Sequence, residues 1–267
     1  KEDEIGQLTE AFNSMAVSLS NSENARRSFI ANVSHELKTP MTTIAGFIDG
    51  IIDGTIPREE EGKYLRIVSV EVKRLSRLVR TMLDLSRIDN GELRISKAQH
   101  EITSILVDVM LSFEKKIEDK QLEVRGMENL KPIVVDCDAD MIHQVLYNLI
   151  DNAVKFSNTG GYIAVAMREA GGKVTVSVEN SGEGIAPQEL SMIFDRFYKT
   201  DKSRAHDKNG MGLGLFIVRS MIHLHGGEIY ASSVVNEYTR FEFTLPVRDN
   251  VPELKENLSV KERSDHT

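Results

Sequence analysis

The chain has a single cysteine, Cys137, among 267 residues, so it can form neither an internal disulfide nor a cysteine-based zinc site. A reducing cytosolic setting is the economical reading, and redox chemistry is disfavoured. No run approaches the roughly 18 consecutive apolar residues of a membrane span, and the opening Lys1-Glu2-Asp3-Glu4 is the reverse of a signal peptide. Positive charge is in the minority. With 33 Lys and Arg against 41 Asp and Glu, the net charge of -8 argues against non-specific DNA binding, which needs a cationic surface. The basic pairs Arg26-Arg27 and Lys73-Arg74 are diluted by nearby acids and read as solvated helix faces. Also absent are a Gly-x-x-x-x-Gly-Lys-Ser/Thr loop and the His-Arg-Asp and Asp-Phe-Gly sets, which removes P-loop and serine/threonine-kinase sites. There is no internal repeat of about 20 to 50 residues. What remains, 28% charged and 40% hydrophobic, suits one or two ordinary globular domains.

Up to about Asn90 the apolar residues keep helical spacing. Ile5, Leu8, Phe12, Met15 and Leu19 step by three and four, and Ile30, Val33, Leu37, Ile44, Ile48 and Ile51 largely resume that step. Asp53-Gly-Thr-Ile-Pro57 supplies a turn, after which Leu65, Val68, Val72, Leu75, Leu78, Met82 and Leu85 continue the period. The pattern predicts a helical hairpin. One hairpin cannot cover two apolar stripes, so two are expected to associate as an antiparallel four-helix bundle, a homodimer.

Beyond Asn90-Gly91 the pattern is mixed. Leu106 to Lys116 reads as a helix, Ile133 to Val135 as extended, and Ala139 to Phe156 as a helix that Asp138 is placed to cap. Tyr162 to Met167, Lys173 to Val178 and Arg240 to Leu245 alternate as strands, the first two joined at Gly171-Gly172. This half reads as an α/β sandwich. From Asn250 onward the chain is polar and reads as a loose tail.

Two sets of residues carry chemistry. In Ser34-His35-Glu36-Leu37-Lys38-Thr39-Pro40, the stripe of Ile30, Val33 and Leu37 centres nearly opposite His35, so the imidazole should face solvent. Thr39 lies one turn on, and a carboxylate such as Glu36 accepting one ring N–H would make the other nitrogen a better nucleophile. An ordinary surface histidine fits the geometry too. Pro40 forfeits the bond to the Glu36 carbonyl at a cost of about 3 kcal/mol, and because apolar spacing continues past it, a bend and not an end is expected.

The second set begins with Asn148, Asn152 and Lys155, at i, i+4 and i+7 on the border between the core and solvent faces of their helix. Amide oxygens there suit Mg²⁺ and the lysine suits phosphate, although a polar helix flank would look the same. Asn180-Ser-Gly182-Glu-Gly184-Ile185 follows a strand, and Gly210-Met-Gly212-Leu-Gly214-Leu215 opens a helix running to His225, so backbone amides can approach a phosphate at both. The second cluster has dinucleotide-fingerprint spacing but follows a polar stretch and no first strand, so a Rossmann reading fails on context.

Taken in order, these segments resemble the signature boxes of a two-component sensor histidine kinase. Phe29 to Pro40 is similar to the phosphoacceptor box and His143 to Ser157 to the N box, while Asn180 to Ile185, Phe194 to Tyr198 and Gly210 to Leu215 are similar to the first glycine, F and second glycine boxes. Glu4 to Leu19 resembles the last helix of a HAMP module. The resemblance implies a HAMP end at residues 1-21, a dimerisation and histidine-phosphotransfer domain at 22-90, an ATP-binding domain of the histidine kinase/Hsp90-like type at 91-248, and a tail at 249-267. It further implies the cytoplasmic portion of a plasma-membrane receptor, itself soluble.

By the same resemblance His35 takes the γ-phosphoryl group of Mg-ATP, Glu36 assists as base, and Thr39 orients water when a response-regulator receiver domain is dephosphorylated. Asn152 would ligate Mg²⁺, with Asn148, Lys155 and Phe156 beside the nucleotide. Gly182, Gly184, Ile185, Gly210, Gly212, Leu213, Gly214 and Leu215 would shape the pocket and its lid. Phe197, Tyr198, Arg196 and Lys199 would flank it, and Thr239 would close the adenine site. Two positions depart from the family pattern: Asn180 stands where an aspartate is usual, and Asn236-Glu-Tyr238 where Gly-x-Gly is frequent. Alternatives are a nucleotide-weak chain acting mainly as phosphatase or scaffold, a non-kinase ATPase of the same superfamily, and a coiled-coil interaction module.

Overall fold

A computed structural model of the chain describes residues 4–92, 94–200, 203 and 212–247. The polar tail lies outside the described residues. The first half is the expected hairpin. Helix α1 (Glu4–Ile52) and helix α2 (Arg58–Asp89) flank a turn in which Gly54 is left-handed, and the Asp53 carboxylate accepts from the Thr55 N–H at 2.9 Å. The Thr55 side chain, and after it this N–H, hold the Asp53 carboxyl below its ordinary pKa. Helix α1 passes through Pro40 without ending. Glu59, Glu60 and Glu61 fill the first turn of α2, where negative charge favours the helix dipole. Phe47 and Tyr64 pack across the hairpin with ring centroids 5.0 Å apart.

The second half is the α/β sandwich. Strand β1 (Ala98–Glu101) pairs antiparallel with β3 (Val134–Cys137). Five strands form the main sheet: β2 (Glu123–Arg125), β4 (Tyr162–Ala170), β5 (Lys173–Ser181), β6 (Ile229–Val234) and β7 (Tyr238–Pro246). Their order is β2-β4-β5-β7-β6, with β2 parallel to β4 and the other pairs antiparallel. Ile163, Val165, Val174, Val176, Val178, Phe241 and Phe243 alternate onto one face and are buried with α3 (Ile102–Ser112), α5 (Ala139–Phe156) and α6 (Gly214–Leu224). On the other face Arg240 pairs with Glu179, which also accepts from the Tyr162 hydroxyl at 2.7 Å. Leu85 of α2 joins the sandwich core, so the hairpin is rooted in the second half.

Two expectations need correction. The helix predicted for Leu106 to Lys116 is two helices, α3 and α4 (Glu114–Asp119), interrupted at Phe113. Phe113 is buried against Tyr147 of α5, with centroids 4.8 Å apart, and its N–H bonds Met110 O in a tighter turn. Nor is Arg74 a solvated face residue: its side chain is 14% exposed and pairs with two carboxylates. Cys137 is buried, and burial, reinforced by Asp138 and Asp136, pushes its thiol up to about 11, an unreactive state.

Candidate functional site

The polar flank of α5 faces a cavity of about 620 Å³, within the range typical of small-molecule sites. Helix α5 is positioned at both ends. Asp138 accepts from the Met141 N–H at 3.2 Å at its start, and at its end the Lys120 ammonium donates to the carbonyls of Val154, Lys155 and Ser157. Burial lowers the pKa of Lys120. Asn148, Asn152, Lys155 and Phe156 all line the cavity. The Asn148 Nδ2 donates to Gln144 O at 2.9 Å, and its Oδ1 lies where a Cβ on Gly214 would come within 3.4 Å. The start of α6 therefore lies beside Asn148, with room for no more than a side chain in ordinary van der Waals contact.

Asn180 on β5 and Thr239 on β7 are register partners, and both are buried in the cavity wall. The Asn180 Nδ2 donates to Ser181 O at 2.9 Å, which leaves Oδ1 as the acceptor to offer a ligand amino group. Ser233, which the sequence did not single out, ties this wall together: its hydroxyl accepts from the Ile185 N–H at 2.8 Å and meets the Thr239 hydroxyl at 3.1 Å. At the Asn236-Glu-Tyr238 turn Asn236 adopts φ 64, the left-handed form that asparagine tolerates, and its N–H bonds Glu183 O. The first glycine cluster is thereby clamped. Gly184 is itself left-handed, and a Cβ there would meet Val234 O at 2.4 Å.

Ile185 lines the cavity from this clamped wall, and Tyr198, Lys199, Leu213, Gly214 and Leu215 reach it as well. Gly212 lines it also, with φ 69, and a Cβ there would meet Tyr198 O at 2.5 Å. Gly182 and Phe197 stand behind the lining. Gly182 leaves room for Phe156 O, 2.4 Å from where its Cβ would be, and the Phe197 N–H bonds Gly212 O at 2.9 Å. Gly210 lies outside the described residues.

One wall was not anticipated. Arg74, Arg77, Leu78 and Thr81 of α2 line the same cavity, so the hairpin contributes directly to it. With Lys120, Lys155 and Lys199 these arginines outnumber the lining carboxylates of Asp151 and Glu183, and Asp151 is paired with Lys116 at 3.1 Å. Such a cation excess suits a polyphosphate. The donor set suits Mg²⁺ shared with phosphate oxygens: neutral amide oxygens line the space, and the described residues hold no cluster of His, Cys, Asp and Glu fit for a metal alone.

His35 and Thr39 are exposed on α1 and Glu36 is half-buried, and all three lie outside the cavity. The Thr39 hydroxyl donates to His35 O at 3.2 Å. The Glu36 carboxylate is engaged by Arg74 at 3.0 Å and not by the imidazole. A continuous path thus runs from Glu36 through Arg74 to the cavity.

The profile described as "His Kinase A (phospho-acceptor) domain" matches residues 25–91, and that described as "Histidine kinase-, DNA gyrase B-, and HSP90-like ATPase" matches residues 137–249. The Sensor protein SrrB of Staphylococcus aureus (strain NCTC 8325 / PS 47) is 38% identical over 227 residues, which is 85% of this chain and 39% of that protein. The chain therefore spans about two fifths of the length of the curated relatives it matches. Among solved structures, Acinetobacter baumannii histidine kinase AdeS superposes with a TM-score of 0.66 at 28% identity, over 80% of this chain and 98% of that one. Histidine kinase ThkA in complex with response regulator protein TrrA gives a TM-score of 0.62 at 26% identity, over 91% and 68%. Full-length ShkA in complex with AMPPNP gives 0.61 at 25%, over 81% and 45%.

Proposed function

Because the chain belongs to the two-component sensor histidine kinases, we propose that it binds Mg-ATP in the cavity, phosphorylates His35, and passes the phosphoryl group to an aspartate of a response regulator. The observation that carries this reading is the cation-rich cavity whose wall includes α2, the helix packed against the one that bears His35.

The balance of the transfer is simple. One imidazole nitrogen of His35 bonds to the γ-phosphorus, the bond to the bridging oxygen breaks, ADP leaves with the electron pair, and the proton on the other ring nitrogen passes to Glu36. Lys155, Lys199 and the amides of Gly212, Leu213 and Gly214 offset phosphate charge, Asn180 and Thr239 receive the base, and Phe156, Ile185 and Leu215 exclude water. Mg²⁺ held by Asn152, with Asn148 beside it, would neutralise charge between the phosphates. His35 lies outside the cavity, so the transfer requires the sandwich to move against the hairpin.

Dephosphorylation of the regulator uses Thr39, one turn from His35, to orient water. The ThkA complex with TrrA supports a receiver domain as partner, and the phospho-acceptor domain supports a homodimer. The HAMP-like residues 4–19 and the sensor-protein relatives support a cytoplasmic role within a membrane receptor, with the phosphotransfer domain at 22-90 and the ATP-binding domain at 91-248. No described helix is long and apolar enough to cross a membrane. Incubation with γ-labelled ATP should give acid-labile, base-stable label on the native chain and none on His35→Gln. Equal labelling of the variant removes His35 as acceptor.

A further inference from the structure

We propose that Arg74 is a positioning residue that couples occupancy of the cavity to the carboxylate of Glu36, an inference that rests on the kinase reading. Its Nη2 donates to Glu36 Oε2 at 3.0 Å, its Nη1 lies 3.6 Å from Glu71 Oε2, and the same side chain lines the cavity. One guanidinium serves two carboxylates and the space where a triphosphate would lie. It does not satisfy all of them, since Glu71 Oε2 is buried without a hydrogen bond, 3.6 Å being too long for one. Arg77, one turn on, is exposed and has no carboxylate partner among the described residues, so it can meet phosphate at no such loss. Arg74 must choose.

A guanidinium fork binds phosphate as well as it binds carboxylate, and a triphosphate carries several negative charges against one on Glu36. Nucleotide in the cavity therefore draws Nη2 away from Glu36. The carboxylate, 26% exposed and adjacent to His35 in the chain, is then available to the imidazole N–H. This swap exchanges hydrogen bonds and moves no proton; the proton reaches Glu36 only as the ring bonds phosphorus. While the cavity is empty the base is held off the nucleophile, so the imidazole gains its proton acceptor only when a phosphoryl donor is bound.

Coupling of this kind is reciprocal: if nucleotide loosens the Arg74–Glu36 contact, removing the Glu36 charge must tighten nucleotide. Calorimetric titration of the full chain with Mg-AMPPNP reads this without any chemical step. Glu36→Gln should tighten AMPPNP about fivefold or more, Arg74→Gln should weaken it, and Glu36→Gln should have no effect when added to Arg74→Gln. Where Arg74→Gln alone unfolds because Glu71 loses its cation, the Arg74→Gln/Glu71→Gln background replaces it. A purely structural role for Arg74 would lower thermal stability and leave the Glu36→Gln affinity at the native value. That result, or a tightening that persists without Arg74, overturns the coupling alone. A native chain that binds no AMPPNP overturns the kinase reading with it.

Discussion

At the scale of single residues, the ammonium of Lys120 spends all three of its donors on backbone, on Val154 O at 2.9 Å, Lys155 O at 2.8 Å and Ser157 O at 3.1 Å. These carbonyls end α5, where no intrahelical donor reaches them and a positive charge complements the helix dipole. Lys120→Met keeps the apolar stem and strands the carbonyls. We expect a loss of about 1–3 kcal/mol, read as a melting temperature lower by about 2–4 °C per kcal/mol, together with weaker AMPPNP binding because the turn that carries Lys155 loosens. Lys116→Met, which removes a solvent-exposed pair with Asp151, should be near neutral. A Lys120→Met chain as stable as the native one would show that water replaces the ammonium. Neither Lys120 nor Arg74 was legible in the sequence, for one reason. The hydrogen-bond partners that give them their roles, Glu36 for Arg74 and the carbonyls ending α5 for Lys120, lie 34 to 38 positions away along the chain, and an isolated cation in a charged stretch carries no period. His35 was legible because its own neighbours, Val33 and Leu37, define the face it opposes.

At the scale of elements, the end of α6 is fastened to the start of α5 by one histidine. His225 is 1% exposed; its Nε2 accepts from the Asp138 N–H at 3.0 Å, and its Nδ1 bonds Met221 O at 2.7 Å. Nε2 can accept only in the neutral ring. Burial depresses the pKa of His225 below 6.5, with Lys97 adding to it, while the Met221 carbonyl and Asp138 act the other way. In the folded chain the ring thus protonates at lower pH than in the unfolded chain. Its contribution to stability is full above pH 6.5 and is lost as pH falls below it, because the unfolded state then binds more protons. Denaturant midpoints at pH 7.5 and 5.5 should therefore fall more for the native chain than for His225→Gln, which cannot titrate; equal falls would assign the acid sensitivity elsewhere. The elements joined here were the legible ones. Helix α5 and strands β4, β5 and β7 bury one regular face each, so their period survives in the sequence. Strands β1 and β2 have no buried residue, and β6 buries only Ile229, so none of them leaves an alternation to read.

At the scale of the whole molecule, the hairpin keeps apolar lines that stay exposed among the described residues. On α1, Ile30, Met41 and Ile52 recur every 11 residues, and on α2, Leu65, Val72 and Val79 recur every seven, each line drifting little around its helix. All six are exposed, the α2 line at 47%, 46% and 45%. Leu78 and Leu85, by contrast, are buried within the chain. An aliphatic seam of this length left in water costs about 25 cal/mol for every Å² that a partner would cover, which favours pairing with a second copy of the same seam. The period was plain in the sequence, but which stripe the sandwich would cover was not, because that depends on how α2 enters the second half at Leu85. The double variant Val72→Glu/Val79→Glu should sediment as a monomer and lose the concentration dependence of melting that an associating native chain shows. It should still bind AMPPNP with native affinity, since neither Val72 nor Val79 lines the cavity. A double variant that remains dimeric would place the interface on another face of the hairpin, and one that loses AMPPNP would mean that the cavity needs the second copy to hold α2 against it.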